Sequence, residues 1–207
     1  MPTNLFFEID EQKQKMILDA SLTEFSSRGY SAGSTNQIAL ATGISKGSLF
    51  TYFNTKEDLY LYLLDGVIRE FLGAMSDFEA ELPEELFQRV IKYAERELAW
   101  HLDHPRESML IVQAFSMNGS EIRKKIEEKY GAEEHDIYYS LMECVDMTHL
   151  KGDRQVILNI IKWTLNGLQD SVTGRMTVEK DIVIKELFEE YQNNLILYMD
   201  TLKAALT

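Results

Sequence analysis

Apolar residues recur every three or four positions along nearly the whole chain, the spacing of helices buried on one side. Ile17, Leu18, Ser21, Leu22 and Phe25 form the first such stripe. Asp10 stands where an N-cap belongs and Gly29 where a left-handed C-cap does, so the stripe predicts a helix from Glu11 to about Arg28. Phe6 and Phe7 precede it and could pack back on it. A second, short helix opens at Ser34, with Gln37 spaced to complete a capping box, and closes at Gly43. Ser45 caps a third, in which Leu49, Phe50 and Phe53 are the apolar positions. Thr55 caps a fourth, whose stripe of Leu59, Leu63, Val67, Phe71, Ala74 and Phe78 runs to about residue 81.

Pro83 suits the start of a fifth helix, carrying Leu86, Val90, Tyr93, Glu97 and Trp100 and stopping near His104-Pro105. A sixth is expected over Pro105 to Met117, and a seventh from Ser120 to about Met147 with a break near Gly131. Two long helices follow, Arg154 to about Val172 and Glu179 to Leu206. Both are apolar over much of their circumference and need partners on more than one side. Strand-like alternation is missing throughout, so the predicted fold is all-α, about nine helices.

Composition narrows this picture. The 207 residues are 45% hydrophobic with three prolines, enough for a real core and long helices. The single cysteine, Cys144, excludes an internal disulfide and suits a reducing compartment. No basic stretch precedes the short apolar run at the N-terminus, and no apolar run nears the ~18 residues of a membrane span. A cytoplasmic protein without membrane segments is expected.

The net charge of −13 argues against general affinity for nucleic acid. Its distribution matters more. Residues 34–56 carry Lys46 and Lys56 and no acid, while residues 61–207 hold most of the negative excess.

Residues 34–56 also carry the densest punctuation. Two short helices approach at Ala39, turn at Gly43 four residues on, and are locked by Ile38, Ile44, Leu49 and Tyr52, the requirements of a helix-turn-helix. Together with their flanks, Ile38-Ala39, Thr42 through Phe50, Tyr52-Phe53 and Lys56-Glu57-Asp58-Leu59, they resemble the N-terminal domain of the TetR/AcrR family of transcriptional regulators. Ile17, Ala20, Phe25, Gly29 and Tyr30 match that family's first helix, so the resemblance spans about residues 11–64.

The resemblance implies a DNA-binding domain over 1–54 and an effector-binding and dimerisation domain over 55–207, linked by the helix at 55–81. It places Lys46, Gly47 and Ser48 at base edges or phosphates in the major groove, and Thr51 and Tyr52 at backbone or bases. Ser34 and Thr35 open a helix whose amides suit phosphate, and Lys56 opens another. Phe50, Thr51 and Thr42 depart from the family's frequent Tyr, His and Ala. With two lysines in the motif, amides and hydroxyls must do much of the positioning, which predicts a shallow salt dependence.

The implied partners are a near-palindromic operator in double-stranded DNA, a small-molecule effector, and a second copy held through the two C-terminal helices. Trp100, Met109, Phe115, Tyr138, Tyr139, Met142, Trp163, Asn166 and Gln169 place polar tips on otherwise apolar helices, and are the candidate effector pocket. His101 and His104, three apart, lack a third ligand, so no metal and no cofactor is expected. No phosphate loop, nucleophile elbow or zinc-hydrolase motif supports catalysis. The reading is a ligand-responsive regulator, most often a repressor in this family, and not an enzyme. The alternatives are a helical protein-interaction module and, less favoured, a helical enzyme using the pocket.

Overall fold

A computed structural model describes residues 1–76, 78, 81–116, 121–126, 128–130, 142, 145–178 and 184–207. Its helices are α1 (Asn4–Glu8), α2 (Glu11–Ala32), α3 (Thr35–Thr42), α4 (Lys46–Tyr52), α5 (Lys56–Ser76), α6 (Leu86–Asp103), α7 (Pro105–Ser116), α8 (Arg154–Val178) and α9 (Ile184–Leu206). Residues 121–126 and 128–130 are also helical. Among the described residues the sole β-type pairing is an isolated bridge between Pro2 and Phe53. The expected all-α fold is thus observed.

Two compact units make up the chain: Met1–Gly73 with His104–Ile126, and Ala74–Asp103 with Glu127–Thr207. In the first, the core is Ile17, Phe25, Ile38, Leu49, Phe53, Leu59, Tyr60 and Leu64, each at most 1% exposed. Asp10 caps α2 by accepting from the Lys13 amide at 3.0 Å. Gly29 interrupts α2 with φ 69° and ψ 176°, where the helix was expected to end, and one further turn closes with the Gly33 N–H on Gly29 O. Just ahead of the break, the Ser26 carbonyl accepts from Nε2 of Gln113 of α7 at 2.8 Å. Arg106 of α7 bonds Thr23 Oγ1 and Asp19 Oδ1, both at 2.9 Å. Helix α7 therefore packs along α2, an attachment that local periodicity does not encode.

The second unit is built on α6, α8 and α9. Leu86, Phe87, Ile157, Ile161, Leu165, Leu195 and Met199 are its most deeply buried side chains among those helices. Gln169 reaches Glu97 at 3.3 Å and Lys203 reaches Glu85 at 3.3 Å, tying α8 to α6 and α9 to the start of α6.

Several boundaries differ from expectation. Helix α5 stops at Ser76, not near 81, and Phe78 lies in a turn. Helix α6 begins at Leu86 rather than at Pro83, because the Glu85 carboxylate takes the Phe87 and Gln88 amides. Helix α8 extends six residues past Val172, to Val178. The expected seventh helix falls largely outside the described residues, although 145–147 are not helical; Cys144, Gly131 and 179–183 are not described either. Phe6 sits in an additional short helix, fully buried, with its ring against those of Phe53 and Tyr62.

Candidate nucleic-acid interface

Helices α3 and α4 form the predicted turn. Gly43 adopts φ 67°, a left-handed conformation in which a side chain is strained, and the Ile44 amide closes onto Ala39 O at 3.1 Å. Thr42 stands in place of the family's usual alanine. It is buried, and its hydroxyl is satisfied within the helix by Ile38 O at 2.8 Å and Ala39 O at 3.1 Å. Ser45 caps α4 by accepting from the Ser48 amide at 3.0 Å. Leu49 and Phe53 anchor α4 in the core, and each is 1% exposed. The opposite face of the helix is left to solvent.

That face carries most of the expected contact residues. Lys46, Gly47 and Thr51 are exposed, and Ser48 is half-buried with its hydroxyl 2.8 Å from that of Ser45. The Lys46 ammonium lies 5.9 Å from the Phe50 ring centroid. Thr51 Oγ1 donates to Gly47 O at 3.0 Å and keeps its acceptor capacity. Tyr52 is half-buried, 6.3 Å from Phe6, with the Lys13 ammonium 5.6 Å from its ring. Lys13 is a cation beside the reader that sequence reasoning passed over; its position in the first turn of α2, well ahead of the motif, gave no signal.

The helix starts behave differently from expectation. Ser34 makes no side-chain cap bond, so the capping box with Gln37 does not form. Instead the Ser34 amide donates to Glu24 Oε1 at 2.8 Å. A carboxylate ten residues upstream thus occupies the amide meant for phosphate, and its charge weakens the anion attraction of the α3 start. Thr35 remains at the first helical position, half-buried. Lys56 donates to Ser31 O at 3.2 Å and lies 4.8 Å from the Tyr30 ring, and burial lowers its pKa. In this arrangement it joins the start of α5 to the end of α2. Thr55 and Asp58 form the expected cap there, with Thr55 Oγ1 accepting from the Asp58 amide at 2.9 Å.

The candidate effector residues that are described lie in several places. A cavity of about 10 Å³, room for one water, is lined by Arg89, Val90, Tyr93, Ala94, Glu97, Met142 and Leu165. Of the nine expected residues Met142 alone lines it, with Gln169 one bond away on Glu97. Trp100 is buried in α6 beside His101. Met109 and Phe115 belong to the other unit, while Trp163 and Asn166 are exposed. Tyr138 and Tyr139 lie outside the described residues. Among the described residues no three His, Cys, Asp or Glu side chains are grouped to hold a metal, and no helix is long and apolar enough to cross a membrane.

Gly47 supplies a clean test of the exposed face. A Cβ built there meets nothing nearer than Ser45 Oγ at 3.6 Å. Gly47→Ala therefore raises stability by about 0.5 kcal/mol through helix propensity. The same methyl blocks close approach of the backbone to DNA, with an expected loss of about 1–2 kcal/mol per subunit, the size of one disrupted base contact. Melting and DNA titration of the variant should move in opposite directions; an unchanged DNA affinity removes Gly47 from the interface.

Comparison with known proteins agrees with this geometry. Residues 17–63 match the family model described as bacterial regulatory proteins, tetR family. Over 98 residues the chain is 32% identical to the HTH-type transcriptional regulator RutR of Escherichia coli K12, covering 47% of this chain and 45% of that protein. It is 32% identical over 66 residues to the HTH-type transcriptional regulator LuxR of Vibrio harveyi, covering 32% of each. The chain thus spans about half the length, or less, of these curated relatives. A TetR family transcriptional regulator from Chloroflexus aurantiacus J-10-FL aligns over 100% of this chain and 98% of its own, with a TM-score of 0.65 at 20% identity. The fatty acid degradation regulator FadR from Bacillus halodurans aligns over 91% and 96%, with a TM-score of 0.65 at 19% identity. These likenesses extend the shared fold beyond the helix-turn-helix. Residues 17–63 thus match the tetR family of bacterial regulatory proteins in sequence, and the remaining helices share the fold of structures of that family.

Proposed function

We propose that the chain is a DNA-binding transcriptional regulator, acting as a homodimeric repressor that a small-molecule effector releases from a near-palindromic operator. One observation carries the DNA-binding part: α4 is capped, anchored by Leu49 and Phe53, and leaves Lys46, Gly47 and Thr51 on an open face. A rigid seven-residue helix presenting its N-terminal end in this way suits the major groove. Ser48, Tyr52 and Thr35 flank it. Ser34 and Lys56 hold the motif together, and Lys13 adds a cation at its edge.

The dimer reading draws on the second unit. Val156 is 54% and Trp163 69% exposed on α8, seven residues apart and so on one face. Gly167 and Gly174 continue that face and leave open space for a close helix approach. On α9, Leu197 and Tyr198 are 59% and 43% exposed. Such apolar exposure on the last two helices fits a four-helix bundle with their mates. Trp163 thereby moves from the candidate pocket to the dimer face. An effector reading is supported by the apolar cavity of the second unit, which must widen to admit a ligand. Such a ligand acts only if it binds the two operator spacings unequally.

Selection from a random duplex pool at low salt tests the proposal. The expected product is an inverted repeat bound by two subunits. Its affinity should fall gently with salt, at about −0.9 in log–log slope per neutralised phosphate. Recovery of no inverted repeat by folded protein would favour the protein-interaction module.

A further inference from the structure

The segment ahead of the matched residues 17–63 is bound to the reader helix. Helix α4 has only seven residues, too few to persist alone, and its last carbonyls have no partners within the helix. Phe53 N–H meets Leu49 O at 2.9 Å. The last two carbonyls of the helix are taken by one distant residue: Thr3 Oγ1 donates to Thr51 O at 2.8 Å, and the Thr3 N–H donates to Tyr52 O at 2.9 Å, from 48 and 49 residues away in sequence. Pro2 pairs with Phe53 as the sole bridge described. Thr3 then opens α1, which drops Phe6 fully buried onto Phe53, with ring centroids 4.8 Å apart, and onto Tyr62 of α5 at 5.8 Å.

We propose that residues 2–8 are a positioning clamp for DNA reading: Thr3 is the C-cap of α4, supplied from outside the helix-turn-helix, and Phe6 is the wedge that fixes the angle of α4 against α5. This rests on the DNA-binding reading above and adds to it residues that touch no base. The Thr3 bonds lie at the C-terminal end of α4, and the exposed reading positions Lys46 and Gly47 at its N-terminal end. The clamp therefore acts on the orientation of the reader. Because neither Thr3 nor Phe6 is charged, it contributes to the discrimination between operator and other DNA and not to the phosphate attraction common to both.

The test uses the full chain and two pairs of readouts. Thr3→Val removes the hydroxyl bond and keeps both shape and N–H, Thr3→Ser restores it, and Phe6→Leu shortens the wedge while retaining an apolar core. Operator affinity of Thr3→Val is expected to fall about fivefold per subunit, the effect of one hydrogen bond, and Thr3→Ser to stay within about twofold of the parent. Phe6→Leu is expected to fall at least as far as Thr3→Val. Affinity for random-sequence duplex and the salt slope are expected to stay at parental values in all three. Without DNA, amide exchange at Thr51–Phe53 is expected to accelerate in Thr3→Val and Phe6→Leu and not in Thr3→Ser. Equal losses on operator and random duplex, or an altered salt slope, overturn the proposal. So does parental amide exchange at Thr51–Phe53, which decides the clamp even if the parent protein selects no DNA sequence; that last result would sink the DNA-binding reading separately.

Discussion

Trp163→Glu is expected to split the proposed dimer while leaving each protomer folded. The side chain is 69% exposed on α8, so its replacement removes little from the core of the second unit, which is held by Ile161 and Leu165 on the opposite side of that helix. In a two-fold interface each change counts twice. A central tryptophan typically contributes about 2 kcal/mol or more per copy, so the pair costs about 4 kcal/mol, roughly a thousandfold in the dimer dissociation constant. The sign of the new charge adds to this, because two copies of a chain with net charge −13 already repel. Loss of the dimer removes the second reader from the operator, and the avidity of a linked pair, about 10²–10⁴ in affinity, goes with it. Sedimentation equilibrium should report monomer at micromolar concentration with a parental far-ultraviolet circular dichroism spectrum. A Trp163→Glu protein that sediments with the parent removes Trp163 from the proposed interface. Leu40, 76% exposed on α3, is a suitable control: its replacement by Glu should leave the dimer intact, since α3 belongs to the reader's unit.

The parts of this molecule that sequence reasoning reached are those whose determinants lie within a few residues of one another. Asp10, Ser45 and Thr55 each cap a helix whose amide is three residues away, and Gly29 and Gly43 mark breaks by their own backbone conformation. The helix-turn-helix is dense in such local signals, which is why its helices and buried positions were legible. Ser34 and Gln37 obeyed the same spacing rule, and the rule failed because Glu24, ten residues upstream, reached the Ser34 amide first. Thr3 on α4, and Arg106 and Gln113 on α2, are further cases in which the partner is remote in sequence; no periodicity announces them. Trp163 shows a different limit. An aromatic at helical spacing on a helix that is apolar nearly all round suits a core, a pocket or a partner surface equally, and only the covered faces of α8 decide among them. The same ambiguity applies to the other candidate pocket residues, of which Met109 and Phe115 fall in one unit and Trp100, Met142 and Gln169 in the other, with Asn166 exposed.

Gly33→Ala should be among the most destabilising single-methyl additions in the chain. Gly33 has φ −61° and ψ 138°, a conformation that alanine adopts freely, so conformational preference alone would make the change mildly favourable, by about 0.4–1 kcal/mol. Space reverses the sign. A Cβ built at Gly33 lies 2.6 Å from Phe25 Cδ1 and 2.7 Å from the Gly29 carbonyl oxygen. Neither neighbour can yield cheaply. Phe25 is 0% exposed and packs edge-on against Tyr60 at 5.2 Å, while Gly29 O is the acceptor of the Gly33 amide itself and belongs to the kink that Gln113 braces. The added methyl must therefore open the last turn of α2 or displace the core ring. Overpacking of this kind costs about 1–3 kcal/mol. A net loss of about 2 kcal/mol lowers the melting temperature by roughly 4–8 °C for a chain of this size. Gly43→Ala provides the contrast: its Cβ meets nothing within 4 Å, and its φ of +67° alone sets a cost of about 1–2 kcal/mol. The two variants should differ in where the damage appears. Amide exchange should quicken around Phe25, Gly33 and Tyr60 for Gly33→Ala, and at the turn between α3 and α4 for Gly43→Ala. A Gly33→Ala protein that melts at or above the parental temperature would mean that the end of α2 yields without cost, and that the kink at Gly29 does not hold the entry to the reader in place.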